Sequence, residues 1–213
     1  MEASFWHQKW AMGDIGFHDG RANALLVEHF GKLNPVRSSR IFLPLCGKTR
    51  DIAWLLASGY RVVGAELSEL AVSELFKELG LEPEIVAAGA MAHYRAKDID
   101  LFVGDVFDLS AQYLEPINAI YDRAALVALP ADLRRKYAAH LVNLTEAAPQ
   151  LLITYEYSQP LMQGPPFSVS EDELEQLYGA VYQLKLIERK DVEGGLKGKI
   201  TSTEAAWLLQ KSY

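Results

Sequence analysis

From Arg40 onward the sequence alternates short apolar runs with segments of helical spacing, and this alternation restricts the fold more than any other feature. RIFLPL, starting at Arg40, is short and apolar throughout, as a strand buried on both faces must be. DIAWLLASG follows with helical spacing and stops at Gly59. YRVVGAEL reads as a second strand. SELAVSELFKELG reads as a helix capped by Ser68 and stopped by Gly80. IDLFVGD, NAIYDR and QLLITYEY supply a third, fourth and fifth strand. ADLRRKYAAHLVNLTEA is a helix between the last two. SEDELEQLYG is a further helix, from a cap at Ser170 to Gly179. AVYQLKLIERKD and STEAAWLLQKS close the chain as two strands able to pair as a hairpin. Short connections between alternating strands and helices imply an α/β fold, with a mostly parallel sheet covered on both faces.

The 39 residues ahead of the first strand carry two helix-like stretches, FWHQKW and NALLVEHFGKL. That is more than one sheet face needs, so residues 1–39 read as a helical lid region on a single domain spanning 1–213. Repeats, low-complexity tracts and linkers do not interrupt this pattern.

About half of the 213 residues are hydrophobic, enough for a substantial core. No apolar run reaches the length of a membrane span. MEASFWHQKW lacks the basic-then-apolar order of a secretory signal. Cys46 is the one cysteine, which excludes an internal disulfide and fits the reducing cytoplasm. A net charge of -7 argues against nucleic-acid and anionic-membrane partners.

In a sheet of this kind small ligands sit beyond the carboxyl ends of the strands. The first strand ends in LPLCGKT. Its single Gly47 does not make the glycine-rich turn of a dinucleotide site. Gly47, Lys48 and Thr49 match the end of a phosphate-binding loop, but Phe42 stands where that loop needs its first glycine. A ligand without phosphates remains compatible, as does an ordinary strand-to-helix turn. The second strand ends near Glu66, whose carboxylate can accept hydrogen bonds from both hydroxyls of a ribose or simply be a solvated acid at a helix start. After the third strand, Asp105 can accept from an adenine amino group, with Val106 or Phe107 against the ring. After the fourth, Asp122 and Arg123 reach the rim. Arg123 suits a carboxylate or an anionic acceptor, with an Asp122–Arg123 ion pair as the alternative.

Trp6 and Trp10 share one helix face, either to staple that helix to the core or to offer indole faces to a cation. Phe17, in IGFH, can stack on a flat acceptor. The five histidines, His7, His18, His29, His93 and His140, have no metal-binding spacing, so no metal is expected. No G-x-S-x-G nucleophile is present, and no general base stands out.

Taken together, FWHQKW, IGFH, PLCGK, VVGAELSE, GDVFDL, YDRAALVALP and GPPFSV resemble the thiopurine S-methyltransferase family, particularly its bacterial members, in the family's order from Phe5 to about Val169. The resemblance implies a class I methyltransferase (Rossmann-like) three-layer sandwich, whose seven-stranded sheet ends in an antiparallel hairpin. It implies that Trp10, Leu45, Glu66 and Arg123 contact S-adenosyl-L-methionine, with Trp6, Asp105 and Val106 beside the same ligand. Phe17, and Arg123 again, match the acceptor side. The implied acceptors are small thiols, or selenium and tellurium species, methylated by a monomer. VEGGLKGKITSTEAAWLLQ, near the C-terminus, departs from the family pattern. Three rivals share parts of this reading: a nicotinamide oxidoreductase, a methyl-donor sensor without catalysis, and a methyltransferase acting on halide or thiocyanate.

Overall fold

The central strands are apolar on both faces and need cover on both sides of the sheet, and the architecture supplies it. In a computed structural model, which describes residues 3–15 and 20–212, the strands are β1 (Arg40–Pro44), β2 (Arg61–Glu66), β3 (Glu84–Ala88), β4 (Met91–Ala96), β5 (Ile99–Val103), β6 (Ala119–Arg123), β7 (Gln150–Glu156), β8 (Tyr182–Asp191) and β9 (Thr203–Lys211). The helices are α1 (Ala3–Ala11), α2 (Ala24–His29), α3 (Arg50–Ala57), α4 (Glu69–Leu79), α5 (Ala131–Leu144) and α6 (Glu171–Tyr178). Among the described residues the strands form one sheet in the order β3-β4-β5-β2-β1-β6-β7-β9-β8. The central run β5-β2-β1-β6-β7 is parallel.

Successive strand residues face opposite sides. Ile41, Leu43, Val62 and Leu101 point into a core closed by α2, α3 and α4. Phe42, Val63, Ala65 and Leu152 point into a second core closed by α5 and α6. The three layers follow from this division. Helix ends obey local chemistry. The Ser68 hydroxyl accepts from the Ala71 amide at 3.3 Å, and Gly80 ends α4 in the left-handed region at φ 67. Ser170 caps α6 by accepting from Glu173 at 3.3 Å.

Among the described residues the sheet has nine strands rather than the expected seven. The extra pair is the hairpin β3–β4, inserted between α4 and β5, with β4 antiparallel to β5. Glu84, Ile85 and Ala87 on β3 are exposed, so this edge hairpin lacks the apolar alternation that betrays a half-buried strand. At the other edge β9 pairs antiparallel with β7 and β8 with β9, which is the expected terminal hairpin. Among the described residues, no helix is long and apolar enough to cross a membrane.

Candidate active site

The direction of strand addition reverses at β1. β2 lies on one side of it and β6 on the other, and both are parallel to it. That reversal opens a crevice at the carboxyl ends of the strands. The turn leaving β1 there is distorted. Leu45 has φ 46 and Gly47 φ 53, both left-handed. For a branched-chain residue such as leucine this conformation is uncommon and strained, and such strain gathers where a turn must present its backbone in one way.

Glu66, at the end of β2, is 6% exposed. One carboxylate oxygen accepts from the Gly47 amide at 2.7 Å and the other from the Ser68 amide at 2.8 Å. Burial pushes this carboxyl above its usual range, while the amides of Ser68, Gly47 and Leu67 oppose the shift. Each oxygen keeps lone-pair capacity for a further donor. The Glu66 carbonyl accepts from the Gly104 amide at 2.9 Å, which brings Asp105 and Val106 beside it. Val106 is buried. Asp105 is exposed and accepts from the Phe107 amide at 3.0 Å.

Trp10 is 6% exposed and lies on the same turn. A Cβ added at Gly47 would meet Trp10 Cζ2 at 2.9 Å, so only glycine admits the indole this closely. Trp6 is half-buried, edge-on to Phe5 with ring centroids 5.2 Å apart. Phe17 lies outside the described residues.

Lys48 does not face the crevice. Its Nζ contacts Glu74 at 2.7 Å and Glu78 at 3.0 Å on α4. The fragment Gly47-Lys48-Thr49 is therefore a helix start braced against α4, with Thr49 as the α3 cap. Burial, then Glu66, pushes the Cys46 thiol well above its usual range, which makes it an inert core group.

At the end of β6, Arg123 and Asp122 face opposite sides of the sheet. Asp122 is fully buried. It accepts from the Tyr137 hydroxyl at 2.7 Å and the Leu126 amide at 3.1 Å, so its carboxylate is turned toward α5 rather than toward Arg123. On the other face Tyr121 donates to Asp51 at 3.0 Å, and Asp51 accepts from the Asn23 amide at 2.7 Å. Burial and Asp51 push the Tyr121 phenol well above its usual range. The nearby Arg123 opposes this.

The GPPF segment packs on the same rim. Phe167 donates its amide to the Val127 carbonyl at 2.6 Å, and Tyr157 donates to the Pro166 carbonyl at 2.7 Å. Arg134, 5% exposed, makes a two-pronged pair with Glu173 at 2.7 and 3.0 Å and donates to the Leu129 carbonyl at 2.8 Å.

The structure thus brings Trp10, Leu45, Glu66, Asp105, Val106 and Arg123 to adjoining strand ends. Sequence reasoning did not find Asp51, Tyr121, Tyr137 or Arg134, because each looks like an ordinary helix or strand residue until its distant partner is known. Nor did histidine spacing reveal His29 Nε2, 2.5 Å from Glu188 Oε2 with Glu28 alongside. Among the described residues that trio forms a group close enough to hold a cation; Glu28 and His29 end α2, Glu188 lies on β8, and the His29–Glu188 hydrogen bond already occupies Nε2.

A family model described as thiopurine S-methyltransferase matches residues 1–211. A protein of Xanthobacter autotrophicus with that name is 54% identical over 213 residues, covering 100% of both chains. One of Teredinibacter turnerae, named likewise, is 50% identical over 212 residues, covering 100% of this chain and 99% of its own. Among solved structures, a SAM-dependent methyltransferase of Anabaena variabilis superposes with a TM-score of 0.67 at 15% identity, covering 99% of this chain and 95% of its own. The 1,6-didemethyltoxoflavin-N1-methyltransferase of Burkholderia thailandensis, solved with 1,6-didemethyltoxoflavin and S-adenosylhomocysteine, gives 0.63 at 16% identity, covering 98% and 87%. At such identities the structures speak for the fold alone.

Proposed function

Since this chain belongs to the thiopurine S-methyltransferase family, and is a methyltransferase that uses S-adenosylmethionine and a small-molecule acceptor, we propose that its acceptors are small aromatic or heterocyclic thiols, methylated on sulfur. The full-length relatedness is the observation that carries this reading. Selenium and tellurium species, which share the soft nucleophilic character of sulfur, belong to the same proposal. So do a monomeric state, a cytoplasmic setting and independence from metal.

The residues at the crevice suit the donor. Glu66, aimed by two backbone amides, has acceptor capacity left for ribose hydroxyls. Trp10 offers an indole beside the Leu45–Gly47 turn, and an aromatic face attracts a sulfonium cation. Asp105 and Val106 supply a polar and an apolar contact for adenine, and Trp6 lies on the same helix as Trp10. Arg123 holds an anion at the rim, either the donor's carboxylate or the acceptor's thiolate. Phe17 completes the acceptor side, with residues 1–39 as the covering region. When bound, S-adenosylmethionine would supply an electrophilic methyl group to the acceptor sulfur and would leave as S-adenosylhomocysteine. The protein's share is alignment and exclusion of water. Heteroaromatic thiols ionise more readily than alkyl thiols, so a strong general base is dispensable.

Turnover with S-adenosylmethionine across a panel of thiols, halides, thiocyanate and oxidised selenium species tests the proposal. Methylation of a thiopurine or thiophenol well above the halide rate is expected. Turnover of halide or thiocyanate alone, or S-adenosylhomocysteine binding without any turnover, would sink it.

A further inference from the structure

We propose that Asp122, with Tyr137 as its buried partner, is a positioning residue for Arg123. Four observations lead there. Asp122 precedes Arg123 on β6, and the two side chains leave the strand on opposite faces, so one can act on the other only through the backbone. The carboxylate accepts from the Leu126 amide at 3.1 Å, with the Ala125 amide also turned toward its charge, closing a turn over the residues that follow Arg123. Ala124, inside that turn, has φ 62. An alanine is strained there and stays only where its surroundings hold it. Finally, Tyr137 Oη, fully buried on α5, donates to the second carboxylate oxygen at 2.7 Å and fixes the carboxylate's direction.

The strand end is thus gripped from the helical face while Arg123 is presented on the other. Burial opposes the ionised carboxylate and pushes the Asp122 carboxyl up to about 6, with Tyr137 and the two amides resisting the shift. Carrying an ionised group in that core has no packing advantage, and a functional constraint on the adjoining arginine accounts for it.

The proposal rests on the methyl-transfer reading only for its kinetic arm. That arm is a cycle of Asp122→Ala with Arg123→Gln in the full-length protein, read as kcat/KM for a thiopurine. Asp122→Ala should lose at least about tenfold when Arg123 is present and less than about twofold when it is already glutamine. Asp122→Asn, which keeps an acceptor oxygen for the two amides, should restore most of the loss. If Asp122→Ala does not fold, Tyr137→Phe, which keeps the ring and deletes one hydrogen bond, takes its place. The second arm needs no substrate. In isotope-labelled protein the Arg123 Nε–H resonance, identified by its loss in Arg123→Lys, should shift or broaden in Tyr137→Phe. Equal losses in both arginine backgrounds, or an unmoved Arg123 resonance, would overturn the proposal. A parent enzyme that ignores every thiol would instead overturn the acceptor assignment, and the resonance would still decide the positioning role.

Discussion

The Glu66 carboxylate accepts a hydrogen bond from the Gly47 amide at 2.7 Å, joining the end of β2 to the turn that leaves β1. Because Ser68 holds the other oxygen, the carboxylate is aimed before any ligand arrives. Trp10 lies over the same glycine. Three elements separated in sequence therefore converge on one turn.

Glu66→Ala should weaken S-adenosylhomocysteine binding by about 1–3 kcal/mol, as expected for removing hydrogen bonds to a charged group. Isothermal calorimetry checks this, and unchanged affinity would rule out the ribose role.

Gly47→Ala should destabilise the fold by about 1–3 kcal/mol, from its left-handed backbone and the 2.9 Å approach to Trp10. Combining it with Trp10→Ala should relieve the steric part and leave the backbone part. Denaturant melts of the single and double variants measure both. Strict additivity would mean that the indole does not press on this turn.

Asp122 should make stability depend on pH. Its folded pKa of about 6 lies above the ordinary 3.8 of an aspartate, so the folded state holds the proton more tightly. Its contribution is therefore fully present below about pH 4 and lost as pH rises through about 6, on the order of 3 kcal/mol. Tyr137 and Tyr178 face it from α5 and α6, and burial keeps both phenols protonated throughout this window. Asp122→Asn removes the titration. Relative to the parent, the variant should gain stability between pH 4 and pH 7, and a flat difference in urea melts would contradict the assignment.

The covering role proposed for the N-terminal segment predicts slower amide exchange over residues 3–15 when S-adenosylhomocysteine is bound. Mass-spectrometric hydrogen exchange reads it directly. Equal protection with and without the ligand would make Trp6 and Trp10 ordinary core anchors.

Methyl transfer should survive exhaustive dialysis against a chelator. His29 Nε2 is already hydrogen-bonded to Glu188 at 2.5 Å between α2 and β8, three strands across the sheet from Arg123. Activity lost on dialysis and restored by a divalent ion would show instead that a metal participates.

Much of the fold was legible in the sequence because its determinants are local. The apolar runs of β1, β2 and β7, the Ser68 cap and the Gly80 stop depend on side chains within a few residues of one another, and periodicity reports such short-range energies. The β3–β4 hairpin escaped because its exposed edge strand carries no apolar alternation. At the site, Glu66 and Arg123 could be singled out because a charged residue at the end of an apolar strand points to a ligand.

The alternation along the chain already obliges a parallel sheet with two covered faces and a crevice at its carboxyl end. The tertiary structure alone decided which groups are aimed there and which are spent elsewhere. Lys48 went to α4, Asp122 to Tyr137, and Asp51 to both Asn23 and Tyr121, partners 28 and 70 residues away. A hydrogen bond between distant residues exists only once the core has closed around it. Its strength comes from the burial that folding creates, and no local pattern in the chain records it in advance.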